Sequence, residues 1–235
     1  MRTKMKSVLA ALALAAAGSL AAPVMAFPIE AQLTGDPRAD NPDNLIIDVD
    51  IVLIDANTVE WTIDINSPLH PNARLDEFYF NVTGLASDYT FDSFSPTDWA
   101  VTSPASVQGG GTFTPNFLFS ALDPSGPPNA ADVNNATNLV FRMNLVTGSF
   151  TDSMFLTAAS SCSSDTTLGC GQLGAHLQSL VDVGSTDPND DEGSGFVLGT
   201  YLLPSPPPLP EPGTLSLLGA VFLALGMLRL RQRRR

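Results

Sequence analysis

The sequence predicts an all-β fold, an antiparallel β-sandwich or jelly-roll-like body, followed by a C-terminal transmembrane helix. Three observations predict the body. Two long segments alternate apolar and polar residues with a period of two. Further short apolar runs are separated by turns rich in Gly, Pro, Asn and Asp. Outside the two ends no long segment has helical periodicity, and no internal repeat argues for a solenoid.

The clearest pair comes first. In Leu45 to Ile54 the odd positions Leu45, Ile47, Val49, Ile51 and Leu53 are apolar, and the even positions include Asp48 and Asp50. In Thr58 to Ile65 the odd positions are Val59, Trp61, Ile63 and Ile65. Each strand therefore has one buried face. Asp55-Ala56-Asn57 between them suits a three-residue hairpin loop, because Asn tolerates the left-handed conformation. That loop pairs Leu53 with Val59, Ile51 with Trp61, Val49 with Ile63 and Ile47 with Ile65. Every inward pair is apolar, as a correct register requires. Further strands are expected at Glu77 to Thr83, Tyr89 to Phe94, Trp99 to Thr102, and around Phe113 and Asn116 to Phe119. Asn138 to Val146, Met154 to Ala158, Ala175 to Gln178 and Phe196 to Tyr201 complete the set.

Charge narrows the function classes. The net charge is −13, but most cations sit at the ends. Between Phe27 and Pro212 only Arg38, Arg74 and Arg142 face the 24 acids. Nucleic acid and anionic membrane surfaces are excluded as partners of such a section. Apolar residues make up 44% of the chain and are interleaved with the acids, so the middle has material for one core.

The N-terminus, residues 1–26, reads as a secretory signal peptide. Arg2, Lys4 and Lys6 precede an apolar run, and Val24-Met25-Ala26 places small residues for cleavage after Ala26. An uncleaved membrane helix is the alternative; Gly18 and Pro23 interrupt it. The acidic body spans 27–203. Residues 204–213 form a Pro-rich linker, suited to an extended polyproline conformation. Residues 214–235 supply an uncharged run, Thr214 to Leu228, and the cluster Arg229, Arg231, Arg233, Arg234, Arg235. A 15-residue helix is about 22 Å long, so it spans a bilayer only if its ends snorkel. The arginines hold the tail on the cytoplasmic side.

Pro210-Glu211-Pro212, the apolar run and the terminal arginines together resemble the PEP-CTERM sorting signal of Gram-negative bacteria. The resemblance covers about the last 26 residues. It implies recognition of Pro210, Glu211 and Pro212 by a membrane-embedded exosortase, with Arg229 to Arg235 as the stop signal. It implies an inner-membrane intermediate, loss of the tail, and a body at the cell surface or outside the cell, commonly with exopolysaccharide in biofilm. The same tail is also labelled as a C-terminal segment of some ice-binding proteins. An ordinary permanent anchor is the alternative. The layout of the body, with Leu75 to Val82 early and Gly174 to Gln178 before the last strand, is similar to bodies found on such proteins and implies no assigned activity.

Candidate sites are few. Export makes a disulfide between Cys162 and Cys170 the expected pairing; free thiols or a metal pair are the alternative. Asp187, Asn189 and Asp191 have the spacing that opens a Ca²⁺ loop, although Glu192 and Leu198 break the rest of that pattern. The hairpin register sets Asp48 opposite Asp64 near Asp50 and Glu60, and Asp36, Asp40 and Asp43 form a third acidic group. A solvated acidic surface is the plain alternative to Ca²⁺. His70 and His176 lack a nucleophile motif, and no Gly-x-Ser-x-Gly, His-Glu-x-x-His or phosphate loop is present. Trp99 and Tyr79 are candidates for stacking on sugars, whereas Trp61 is expected in the core. The expected function is therefore a non-enzymatic, exosortase-sorted surface or matrix protein. Its partners would be exosortase, the secretion machinery, the membrane through its helix, and exopolysaccharide. The alternatives are a secreted carbohydrate- or ice-binding module and, third, a secreted hydrolase.

Overall fold

The structure is a computed structural model that describes residues 27–34, 45–104, 117–123, 132–162, 169–180 and 193–203. The described chain is mostly β. Its strands are β1 (Ile29–Thr34), β2 (Ile46–Asp55), β3 (Thr58–Ile65), β4 (Arg74–Phe80), β5 (Tyr89–Ser95), β6 (Ala100–Thr102) and β7 (Phe119–Leu122). After these come β8 (Val133–Asn134), β9 (Leu139–Leu145), β10 (Ser161–Cys162), β11 (Cys170–Gly171), β12 (Leu173–Leu180) and β13 (Gly193–Gly199). One antiparallel sheet runs β5-β9-β3-β2-β1-β13-β12-β4-β7-β6, with β8 beside β4. It folds over itself until its ends nearly meet. Phe91 of β5 lies 4.9 Å, ring to ring, from Phe119 of β7.

The β2–β3 register is the expected one, Leu53 with Val59 through Ile47 with Ile65. At the turn a bulge shifts the pairing, and Asp55 faces Thr58 instead. The Asp55 carboxylate accepts from Asn57 N at 3.0 Å, which closes a tighter loop than three residues. Trp61 is the centre of the core. Its ring lies within 4.8–6.1 Å of Phe80, Phe141, Phe155, Phe78 and Tyr201, so both halves of the sheet meet on one side chain.

A bulge also re-phases β4. His176 pairs with Glu77 and Leu177 with Leu75, which leaves Asp76 as the extra residue. Leu75, Phe78 and Phe80 therefore all enter the core, and Asp76 and Glu77 share the outward side. At the seam between β1 and β13 the backbones approach closely at Gly199, where a Cβ would stand 2.8 Å from Leu33 Cγ. Beyond it Glu30 and Leu202 exchange backbone hydrogen bonds of 3.1 and 2.7 Å.

Met154 to Ala158, expected as a strand, instead contains a short helix α1 (Ser153–Leu156). Asp152 accepts from Ser153 N at 2.7 Å and starts the turn. A five-residue apolar run carries no period that separates strand from helix, and the capping acid decides it. Strand β1 was not anticipated, nor were β8, β10 and β11. The expected start of β7 at Phe113 and Asn116 falls outside the described residues. So do the signal segment, the linker, the sorting motif, the arginine cluster and the predicted C-terminal helix. Among the described residues no helix is long and apolar enough to cross a membrane.

Candidate functional site: an acidic groove on the outer sheet face

Three neighbouring strands, β1, β2 and β3, build the site. Because alternate residues of a strand point to opposite faces, Glu30 and Gln32 of β1, Asp48 and Asp50 of β2, and Thr62 and Asp64 of β3 share the outward face, whereas β2 also turns the apolar Val52 and Ile54 outward. Register then aligns the polar ones. Glu30 faces Asp50, Gln32 faces Asp48, and Asp48 faces Asp64. Together with Thr62, Asn138 and Leu202 they line an open groove of about 500 Å³.

The groove is short of positive charge. Among the described residues the cations besides histidine are Arg74 and Arg142. Arg74 Nε lies 3.1 Å from Asp132, and Arg142 Nε lies 3.1 Å from Glu60. Glu60 thus sits at a compensated end of the same face, where Asn144 also donates to Asp92 at 2.9 Å. In the groove two amides answer Asp48. Gln32 Nε2 donates to one oxygen of Asp48 at 2.7 Å and Asn66 Nδ2 to the other at 3.1 Å. Asp64 is held above the ordinary carboxylate range, by partial burial first and then by the charges of Asp48 and Asp50. Such an arrangement attracts cations, protons included.

The other candidates are placed as follows. Cys162 and Cys170 are joined by a disulfide and face each other directly across the β10–β11 ribbon. Asp187, Asn189 and Asp191, and likewise Asp36, Asp40 and Asp43, lie outside the described residues. Among the described residues no three His, Cys, Asp or Glu side chains converge on a metal-sized position. Tyr79 and Trp99 are buried, so neither is a sugar platform. Tyr79 is instead packed between Phe117 and Phe196 at 5.5 and 5.7 Å. Trp61 is in the core as expected.

His70 is buried in its turn. His176 sits on β12 with Nδ1 2.8 Å from the Asp76 carboxylate, a hydrogen bond that holds Asp76 below its ordinary range against the opposing effect of burial. Neither histidine is exposed and isolated. Sequence reasoning missed Glu30, Gln32 and Asn138 as groove residues. The alternation of Ile29, Ala31 and Leu33 with Glu30, Gln32 and Thr34 was the available signal for β1.

A second polar cluster is buried. Gln172 Nε2 donates to the carbonyls of Ala158, Phe155 and Leu156 at 2.8, 3.1 and 3.2 Å, tying down the end of α1, and Gln172 Oε1 accepts from Tyr201 N at 3.1 Å. Asn81 Nδ2 donates to Ala159 O at 2.8 Å and to Ser161 Oγ at 3.0 Å, and Asn81 Oδ1 accepts from Leu118 N at 2.7 Å. Tyr201 Oη donates to Asn81 O at 2.7 Å. Burial pushes the Tyr201 hydroxyl far above its usual titration range, so it remains a donor.

No family model matches this chain, and neither a curated protein nor a solved structure matches it.

Proposed function

We propose that this chain is an exported, non-enzymatic surface or matrix protein of a Gram-negative bacterium, sorted by exosortase and associated with exopolysaccharide. The observation that carries the reading is the order Pro210-Glu211-Pro212, uncharged run, arginine cluster, behind an acidic β-rich body. The finer description of that body as a jelly-roll-like sandwich belongs to the same proposal. Its support is the folding of the eleven-stranded sheet over itself until its ends nearly meet, which encloses Trp61 and its aromatic neighbours. Two structural details agree with export. The disulfide suits an oxidising compartment. Phe27 packs edge-on against Phe155 at 5.9 Å, so cleavage after Ala26 would leave the first body residue docked two residues ahead of β1.

Contact with polysaccharide would run through the acidic groove. The buried state of Tyr79 and Trp99 removes the aromatic candidates for direct stacking. Ca²⁺ bridging the groove carboxylates to acidic sugars is the matching chemistry, since hard cations take oxygen ligands. The intact mass of the protein from a native host tests the sorting claim. It should begin at Phe27 and lack the arginine cluster; a mass that still includes Arg235 would sink it.

A further inference from the structure

We propose that the Cys162–Cys170 disulfide is a thiol–disulfide exchange site that reacts in the folded protein, with a dithiol as the co-reactant. Two independent observations carry this. Both cysteines are exposed, at the outer end of a two-residue ribbon in which Cys162 and Cys170 are direct partners. An attacking thiolate therefore reaches the sulfurs without opening the core.

The second observation is that the ribbon's stems are held without the disulfide. On one side Asn81 Nδ2 grips Ala159 O and Ser161 Oγ. On the other, Gln172 N donates to Gly199 O at 2.9 Å, Gln172 O accepts from Asn81 N at 2.9 Å, and the Gln172 side chain reaches Ala158 O. Both stems are thus fastened, by the Asn81 and Gln172 side chains and by the Gln172 backbone, to the end of β4, to β13 and to the segment that follows α1. The disulfide closes only the residues between Cys162 and Cys170, a separation of eight. Breaking it leaves the body intact.

The exchange balances as follows. A thiolate of the dithiol attacks one sulfur, the Cys162–Cys170 bond breaks, and the displaced sulfur departs as thiolate. The reagent's second thiol then resolves the mixed disulfide. The reagent leaves as a cyclic disulfide, two electrons pass to the chain, and the reagent's two protons end on Cys162 and Cys170.

The test is reduction of the full chain in mild detergent by dithiothreitol, with maleimide mass-tagging of the thiols, at several urea concentrations below the unfolding transition. Two tags per chain should appear at a rate that changes by less than about twofold across that range, because only the open population depends on denaturant. The near-ultraviolet dichroism of the Trp61 cluster should persist in the reduced protein. A rate that climbs with the unfolded population, or tags that appear only through the transition, would overturn the proposal. A Cys162→Ser/Cys170→Ser variant separates the parts: it should keep the native dichroism and take no tag, whereas loss of that dichroism would show the bond to be required for the fold and would equally overturn the claim.

Discussion

The two polar clusters of this body differ in kind. The buried cluster of Asn81, Gln172 and Tyr201 saturates its donors and acceptors within the chain and joins α1, β4, β12 and the end of β13. The outer cluster of Glu30, Asp48, Asp50 and Asp64 collects like charges across adjacent strands, and the Gln32 and Asn66 amides both serve Asp48. A satisfied buried network specifies a structure. Like charges directly opposed on a sheet weaken it. Among the described residues no cation offsets the electrostatic cost in the groove, and an external cation would.

The largest expected effect lies in the buried cluster. Gln172→Ala removes three donated bonds and one accepted bond and leaves buried carbonyls bare. It should destabilise by about 2–3 kcal/mol, read from the urea midpoint, from the cost of unsatisfied buried groups. A loss under about 0.5 kcal/mol would mean that the network is incidental. The next effect is at the outward pair. His176→Ala should cost about 1 kcal/mol at neutral pH. Asp76 has a depressed folded-state pKa, so its contribution is present above the unfolded value and is lost as pH falls through the folded one. The variant should therefore lose less stability than the native protein over that acid window; equal slopes would break the assignment.

The smallest effect has the opposite sign. Asp64→Asn should stabilise at neutral pH by about 0.2–1 kcal/mol, since it removes a carboxylate facing Asp48. Asp64 has a raised folded-state pKa, so its ionised form opposes folding and the penalty is relieved as pH falls through that pKa. The gain from Asp64→Asn should shrink accordingly in acid, where Asp64 is itself protonated. A constant gain at all pH values would assign the effect to packing.

Legibility in the sequence followed the same division. The β2–β3 register could be read because both strands alternate cleanly and a short loop joins them. It brought Asp48, Asp50 and Asp64 together correctly. Glu30 and Asn138 escaped because they arrive through the pairings β1–β2 and β3–β9, and no local pattern states which strands are neighbours. At β4 and just past it the inward set Phe78, Phe80 and Val82 follows from alternation, but the bulge at Asp76, which brings Leu75 to the same side as Phe78, has no local sequence signal. Tyr79 lies in a separate cluster from Trp61, not on an exposed sugar platform. Its burial was not legible, because Phe117 and Phe196 cover it from elements distant in sequence. The buried amide network was invisible for a related reason: Asn81 and Gln172 are ordinary polar residues until the fold closes around them.

The most direct measurement is the thermal midpoint of the chain in EDTA, then in millimolar Ca²⁺, with NaCl at matched ionic strength, for the native protein and for Asp48→Asn/Asp64→Asn. Binding to the folded state alone raises the midpoint by mass action. The account predicts a rise with Ca²⁺ beyond that in NaCl, and its loss in the double variant. An equal rise in NaCl, or a Ca²⁺ effect untouched by the substitutions, would contradict the groove as the cation-bridged contact surface.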